Sequence, residues 1–495
     1  MEACDLQPAT REGQAGPSGV AERPVVPVKS GNADGGKGPQ FRDDARRGES
    51  REIGVSLTPP PKVRKLQTAL HAKAKESPTY RFYALYDKVY REDILAHAYA
   101  RCKANGGAPG VDGRTFADIE SGGVARWLGE LARDLKEKTY RPQAVRRGYI
   151  LKANGKQRPL GIPTIRDRVV QMAVVLVTEP IFEADLQPEQ YGYRPDRSAL
   201  DAVQAAHHLL NTGHTEVVDA DLSGYFDSIP HAELMKSVAR RISDRHLLHL
   251  IKMWLVAPVE ETDRRGHTHR TTRNRDTGRG TPQGSPLSPL LSNLYLRRFI
   301  LGWKVLGHEE RLNAYIVNYA DDFVICCRGT ADEADRVMRA MMQRLKLTVN
   351  ETKTRIHHIP AESVDFLGYT LGRCYSPRTG RAYIGTRPAK KRVQRLCGEI
   401  SELTNRRWCW RDVGDLVREL NQMLRGWANY FCLGPVRAAY RSVDAHVARR
   451  LRRWLCDKHK VSSGGYSRYP DAYLSKTLGL VRLPLLPRRF PSANA

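Results

Sequence analysis

Apolar and polar positions divide the chain into stretches of different texture. Residues 1–76 carry Gly, Pro, Arg, Asp and Ser with few aromatics. Such a segment cannot bury enough apolar area to offset chain entropy, so a disordered tail is expected, with a nascent helix near "KVRKLQTALHAKAK". From residue 77 the pattern tightens. Leu85, Val89, Ile94, Leu95, Ala98 and Cys102 share faces of one or two amphipathic helices. "AVRRGYILKANGKQRPLGIP" (144–163) reads as strand, Gly-centred turn and strand, and "IRDRVVQMAVVLVTEPIF" as a mostly buried helix. "TEVVDADLSGYFDSIP" (215–230) is a strand and a turn, with Asp219 and Asp221 on one side and Val218, Ala220 and Leu222 on the other. Residues 231–257 are helical, 261–280 form a basic loop, and "TPQGSPLSPLLSNLYL" (281–296) turns into an apolar helix. Ala334, Val337, Met338, Met341, Met342 and Leu345 have helical spacing, and "DFLGYTLG" (365–372) reads as a strand. Beyond about 388 the pattern becomes helical throughout.

Composition narrows the function classes. The 495 residues are 41% hydrophobic, enough to build a large core. The formal net charge of +27 points to a polyanion, most often nucleic acid. Between 388 and 460 there are 17 Lys/Arg against 7 Asp/Glu, with Trp408, Trp410, Trp427, Tyr430, Phe431 and Trp454 interleaved. A charged helix face is usually only solvated. Here the one-sided excess, bunched at Arg449, Arg450, Arg452 and Arg453, favours an RNA-facing surface. No run of 18 apolar residues is present to span a bilayer, and the first residues lack the pattern of a signal peptide. The nine cysteines contain no Cys-x-x-Cys pair and suit a reducing compartment, so a cytoplasmic protein is expected.

"NAYIVNYADDFVICCRG" (313–329) carries the chemistry. Two runs rich in β-branched and aromatic residues flank Asp321-Asp322, the pattern of a tight hairpin. Adjacent carboxylates repel at low dielectric, so such a pair calls for a cation, unless the turn merely reaches solvent. A third carboxylate, Asp221, closes another predicted strand. Three such groups can hold two Mg²⁺ ions for phosphoryl transfer.

At "YADD" (319–322) the sequence resembles the reverse transcriptases. "GAPGVDG", "GKQRPLGIP", "YGYRPDRSALDAV", "DADLSGYFDSIPH", "GTPQGSPLSPLLSNLYL", "LKLTVNETKTRI" and "FLGYTLG" follow in the order of that family's blocks. Their forms resemble group II intron reverse transcriptases, or maturases, and "RGWANYF" (425–431) is similar to the maturase thumb block, domain X. The resemblance implies an α+β right hand, with fingers and a palm on an antiparallel sheet, followed by an all-helical thumb. Its expected segments are 77–143 for an N-terminal extension and the start of the fingers, 144–387 for fingers and palm, 388–460 for thumb and domain X. A short basic segment, 461–495, would follow with no endonuclease domain.

The resemblance also implies roles. Asp221, Asp321 and Asp322, with the Leu222 carbonyl, would bind the two Mg²⁺ ions. Phe226 would be the steric gate against a ribose 2′-hydroxyl. Lys152 and Arg158 would bind the triphosphate, with Lys156 weaker, and Gln283 and Gly284 would meet the incoming nucleotide; by themselves these two read as a simple turn. Arg425 and Trp427 join the four bunched arginines as candidate nucleic-acid contacts. Expected partners are group II intron RNA, target DNA and primer, and deoxynucleoside triphosphates, in a nucleoid-associated ribonucleoprotein that assists splicing and makes cDNA for mobility. The alternatives are a host-adopted relative in repair or defence, a splicing cofactor without polymerisation, and an RNA-copying RNA polymerase, which the bulky Phe226 disfavours.

Overall fold

The computed structural model describes residues 58–151, 157–263, 267–376, 378–462 and 465–486. Its first part is helical: α1 (Pro61–Glu76), α2 (Tyr86–Val89), α3 (Glu92–Asn105), α4 (Phe116–Ser121) and α5 (Val124–Lys136). The hairpin β1 (Val145–Leu151) and β2 (Gln157–Ile162) leads into α6 (Ile165–Glu183). Then come α7 (Ala199–Asn211), β3 (Glu216–Ala220), α8 (Tyr225–Ser228), α9 (His231–Ala239) and α10 (Arg245–Leu255). A second hairpin, β4 (Val259–Thr262) and β5 (Thr268–Thr271), precedes α11 (Arg273–Thr277), α12 (Ser288–Val305) and α13 (His308–Arg311). The hairpin β6 (Ala314–Tyr319) and β7 (Asp322–Cys327) is followed by α14 (Ala331–Arg344) and β8 (Arg355–His358). Strands β9 (Ser363–Phe366), β10 (Tyr369–Tyr375) and β11 (Ala382–Pro388) lead to α15 (Lys390–Leu403), α16 (Val413–Tyr430) and α17 (Arg437–His459).

Three sheets organise the right hand. The palm sheet has the antiparallel order β6-β7-β3-β8. The fingers sheet runs β2-β1-β4-β5, with β1 and β4 parallel, and β11-β10-β9 joins palm to thumb. Both faces of the palm sheet are covered. Val218, Ala220, Phe323 and Ile325 face the main core with α6, α12 and α14, while Val217, Val324 and Cys326 pack with α7 and the junction sheet. Helix α6 lies buried on all sides, as its unbroken apolar run requires.

The structure corrects four expectations. First, residues 61–76 do not belong to a disordered tail: α1 buries Val63, Leu70 and Ala74 against the main core. Its place has a physical reason in α6. Pro180 lacks the N–H that would bond the carbonyl of Leu176, and Gln67 Nε2 of α1 donates to that carbonyl at 3.0 Å instead. Second, the basic stretch 261–280 is no irregular loop: β4, β5 and α11 occupy much of it, and they extend the fingers sheet. Third, "DFLGYTLG" is two strands. Leu367 and Gly368 both have positive φ (50° and 84°) in a two-residue turn, and Phe366 pairs with Tyr369. Fourth, the thumb does not stop at 460. Tyr469, Leu474, Leu480 and Leu483 are buried in the same core as α15, α16 and α17.

Candidate active site

Register builds the site. β3 pairs with β7 so that Ala220 opposes Phe323, which places Asp221 beside Asp322 one step beyond the paired ends. Alternation then sets direction. Asp219 and Asp221 share the parity of Val217, and Asp322 that of Val324, so these carboxylates lie on the face toward the thumb. Asp321 sits in the β6–β7 turn itself, between the closing pair Tyr319 and Asp322.

That turn is built under constraint. Ala320 takes a positive φ of 59°, which L-residues adopt only when their surroundings over-determine it. The surroundings here are a buried amide network. Asn318, fully buried, donates its amide to the carbonyls of Ala320 (2.8 Å) and Asp322 (3.3 Å), the turn's own backbone. Gly192 lies flat on the turn: a Cβ there would stand 2.3 Å from the Ala320 nitrogen. Asn293 of α12 donates to the Gly192 carbonyl (2.7 Å), and Gln190 donates to the Asn293 carbonyl (3.0 Å). Sequence reasoning assigned none of these residues. Their signal was present in "YGYRP" and in the Asn before "YADD", but a buried brace has no local period to reveal it.

Asp221 is held from the β8 side. Lys353 Nζ lies 3.0 and 3.1 Å from its two carboxylate oxygens, and Asn350 Nδ2 donates at 2.9 Å. Both come from "LKLTVNETKTRI", to which no role was given. The Asn350 amide also donates to the Asp221 carbonyl, and the Ser223 amide to the carbonyl of Thr348. This bridge pairs Leu222 with Val349 at a non-hydrogen-bonded position, so the Leu222 carbonyl points away from Val349, toward β7. Burial raises the Asp219 carboxyl to about 6, with His357 opposing and Asp221 adding to the shift. Burial also pushes the Tyr225 phenol well up, helped by the negative charge of Asp321.

Phe226 is buried in α8, its ring 6.5 Å from that of Tyr193 in an edge-to-face arrangement. Gln283 Nε2 reaches Asp227 at 3.4 Å, and its carbonyl accepts from Gly161 of β2 at 2.6 Å. Gly284, with φ of 110°, presses on the same strand: a Cβ would meet the Gly161 carbonyl oxygen at 2.4 Å. Its conformational freedom is therefore used by the fingers backbone. Lys152 and Lys156 lie outside the described residues. Arg158 is paired in β2 with Ile150, and its side chain lies outside the description.

The expected RNA contacts divide. Arg425, Arg449 and Arg453 are exposed. Arg452 is a correction: its side chain is 3% exposed, donates to the Tyr469 carbonyl, pairs with Asp471 and lies 3.9 Å from the Tyr466 ring centre. Arg450 bonds the carbonyls of Ser401 (2.9 Å) and Thr404 (3.0 Å), capping α15. Trp427 packs at a tilt against Phe431 (4.8 Å) and Tyr440 (5.8 Å), between the thumb core and the junction. These three hold the thumb together.

Hard oxygen donors suit Mg²⁺, which takes few protein carboxylates and leaves its other positions to phosphates and water. Among the described residues no group of three acidic, histidine or cysteine side chains is arranged to hold a metal ion, and Asp221, Asp321 and Asp322 are not gathered into one. The donor set fits an ion shared with a phosphorylated substrate. Among the described residues no helix is long and apolar enough to cross a membrane.

Fingers, palm and thumb, with paired aspartates at a braced hairpin tip, define a right-hand polymerase of the reverse transcriptase class. Residues 150–371 match the family "Reverse transcriptase (RNA-dependent DNA polymerase)", and residues 393–470 match "Group II intron, maturase-specific domain". The chain belongs to the group II intron reverse transcriptase and maturase family, and its enzyme class is RNA-directed DNA polymerase. It is 33% identical over 366 residues to "Protein YkfC" of Escherichia coli (strain K12), covering 66% of this chain and 93% of that protein. It is 29% identical to "Group II intron-encoded protein LtrA" of Lactococcus lactis subsp. cremoris, covering 65% of this chain and 61% of LtrA. The "Uncharacterized 91 kDa protein in cob intron" of Schizosaccharomyces pombe is 24% identical, over 70% of this chain and 50% of its own length. The chain thus spans under two thirds of the latter two relatives. Reverse transcriptases as a family use divalent metal ions, and the family's substrates are nucleic acids.

Proposed function

We propose that this protein copies RNA into DNA at Asp221, Asp321 and Asp322, and that it binds a group II intron RNA, assists its splicing and makes cDNA for its mobility. The observation that carries the reading is the strand register. It sets Asp221 and Asp322 side by side on the face toward the thumb, with Asp321 at a turn braced by Asn318 and Gly192. The three carboxylates and the Leu222 carbonyl would hold two Mg²⁺ ions. When bound, the ions supply charge stabilisation for the attacking 3′-hydroxyl and the leaving pyrophosphate. The chain's own residues do the positioning. Phe226, backed by Tyr193, occupies the place of a sugar 2′-hydroxyl. Gln283 and Gly284 fix the floor of the nucleotide site to the fingers strand β2. Lys152 and Arg158 of the fingers hairpin are suited to the triphosphate, Arg through bidentate contact. Lys353 holds Asp221 between catalytic events and competes with metal for it.

The test is primer extension on an RNA template in Mg²⁺. Asp321→Ala should reduce cDNA synthesis by about three orders of magnitude or more, as for removal of a group that stabilises transition-state charge. Intron RNA binding and splicing assistance should survive, because they rest on other surfaces. Near wild-type extension by this variant would sink the reading.

A further inference from the structure

Helix α15 leaves the palm at Lys390, where Ala389 bonds the carbonyl of Gly368, and α16 returns to it at Tyr430, whose hydroxyl bonds the carbonyl of Leu367 (2.7 Å). The turn joining them, 404–412, is therefore at the far tip of the thumb. The 18 residues of α16 put it about 27 Å from the palm junction at 1.5 Å per residue.

The tip is rigid and carries an exposed indole. Lys458 of α17 donates to the carbonyls of Cys409 and Arg411, both at 2.8 Å. Arg411 is further tied to Glu419 at 2.7 Å. Both neighbours of Trp410 are thus clamped, and Trp410 itself stands 70% exposed, its ring 6.1 Å from that of Trp408. An uncovered aromatic of this size forfeits the free energy its burial would bring. Arginines stand around it: Arg406, Arg407 and Arg411 lie in a turn with no acid from 403 to 411, and Arg449 and Arg453 are exposed on α17. Glu402 pairs with Arg407 and Glu419 with Arg411, Asp412 caps α16, Asp415 pairs with Arg418, and Asp457 lies on α17.

We propose that Trp410 is a stacking platform for an unpaired base of the RNA bound by the thumb, with Arg406 and Arg453 on the flanking phosphates. Rigid aromatics among arginines bind single strands because every base offers a π-face. A duplex hides those faces, so the occupant is a loop, bulge or free strand. The distance from the palm puts it outside the reacting template–primer end. This inference rests on the maturase reading above.

The test uses the full chain with two probes, a mixed-sequence single-stranded RNA of twenty nucleotides and its perfect duplex. Trp410→Ala should weaken single-strand binding by about 5- to 100-fold, the equivalent of one lost base stack. Trp410→Tyr should keep most of the affinity. Duplex binding should change less than two-fold, and the thermal midpoint and primer extension should stay as in wild type. The salt slope should be unchanged in Trp410→Ala and fall in the Arg406→Gln/Arg453→Gln pair. Unchanged single-strand affinity in Trp410→Ala would overturn the proposal. So would an equal loss on both probes, or a variant whose defect is in protein self-association. Failure of the maturase reading is separate: there, the wild-type chain would bind RNA and extend primers but would not promote splicing of a group II intron RNA.

Discussion

Asp219 and Asp221 stand two positions apart on one face of one strand, yet their surroundings separate their roles. Asp221 at the strand end meets Lys353 and Asn350, so its charge is compensated. Asp219 lies deeper, and burial raises its carboxyl to about 6. The sequence left them geometric rivals, and only the resemblance chose between them; depth in the cleft is the physical distinction. Asp219 has a folded pKa above the unfolded value of about 3.9, so its stabilising contribution is complete below pH 4 and is lost as pH rises through about 6. Asp219→Asn should remove that decline, a gain on the order of 1–3 kcal/mol at pH 7 relative to pH 4. Thermal midpoints of the variant and wild type should then separate above pH 6 and converge near pH 4; parallel curves would show that Asp219 does not titrate in this range. Phe226 makes a different prediction at the same scale. Its buried ring rests edge-to-face on Tyr193, which fixes its place beside the proposed sugar site. Phe226→Ala should raise ribonucleotide use by about 10- to 100-fold, the selectivity an apolar wall exerts against one added hydroxyl. Single-nucleotide insertion with dNTP and NTP pairs measures it.

Elements were legible where one period ran unbroken. Helix α14 and the hairpins β1–β2 and β6–β7 follow from apolar spacing, because each buries a face that its own residues define, and α6 follows from its unbroken apolar run. Legibility failed where a long-range partner decides. α1 has a weak pattern of its own and is ordered by what it supplies to α6, an amide for the carbonyl that Pro180 strands. Its last turn is capped by Arg241, fully buried, on the carbonyls of Ala74 and Ser77. β5 is exposed along its length and is a strand only because β4 lies beside it. The site was legible as motifs, but its brace was not: Gly192, Asn293 and Gln190 act through contacts 101 and 103 residues apart, and the short-range bonds of Asn318 to its own turn leave no periodic pattern. The Gln67 amide gives an element-scale prediction. Gln67→Leu keeps the volume but leaves the Leu176 carbonyl without its donor. It should cost about 1–3 kcal/mol, the penalty of an unsatisfied buried polar group. A fall in the thermal midpoint, absent in a Gln67→Leu/Pro180→Ala double variant where helix α6 regains its own N–H, would identify the stranded carbonyl as the cause.

Across the whole molecule, a net charge of +27 makes binding to any nucleic acid strongly salt-dependent, but the arginines that carry it are not equivalent. On α17 four of them lie within five residues. Arg449 and Arg453 face solvent, whereas Arg450 caps α15 and Arg452 is buried on Asp471 and Tyr469. The helical period explains the division, since positions four apart share a face and the intervening pair turns inward. One composition therefore serves two ends, and substitution separates them. Arg449→Gln with Arg453→Gln removes two exposed charges and only one exposed contact, that of Arg449 with His446 (3.2 Å). The log–log slope of RNA affinity against salt should drop by about 1.4 to 1.8, at 0.7 to 0.9 for each lost phosphate contact, with the melting temperature unchanged. Arg452→Gln leaves the Asp471 carboxylate and the Tyr469 carbonyl without their partner. It should lower the melting temperature by several degrees, since the buried Tyr469 carbonyl loses its donor at about 1–3 kcal/mol, and change the slope little. Binding titrations from 50 to 300 mM salt, run beside thermal melts on both proteins, make the comparison. A slope that falls as far in Arg452→Gln as in the exposed pair would mean that the thumb core opens onto RNA, and the inward assignment of Arg452 would be wrong.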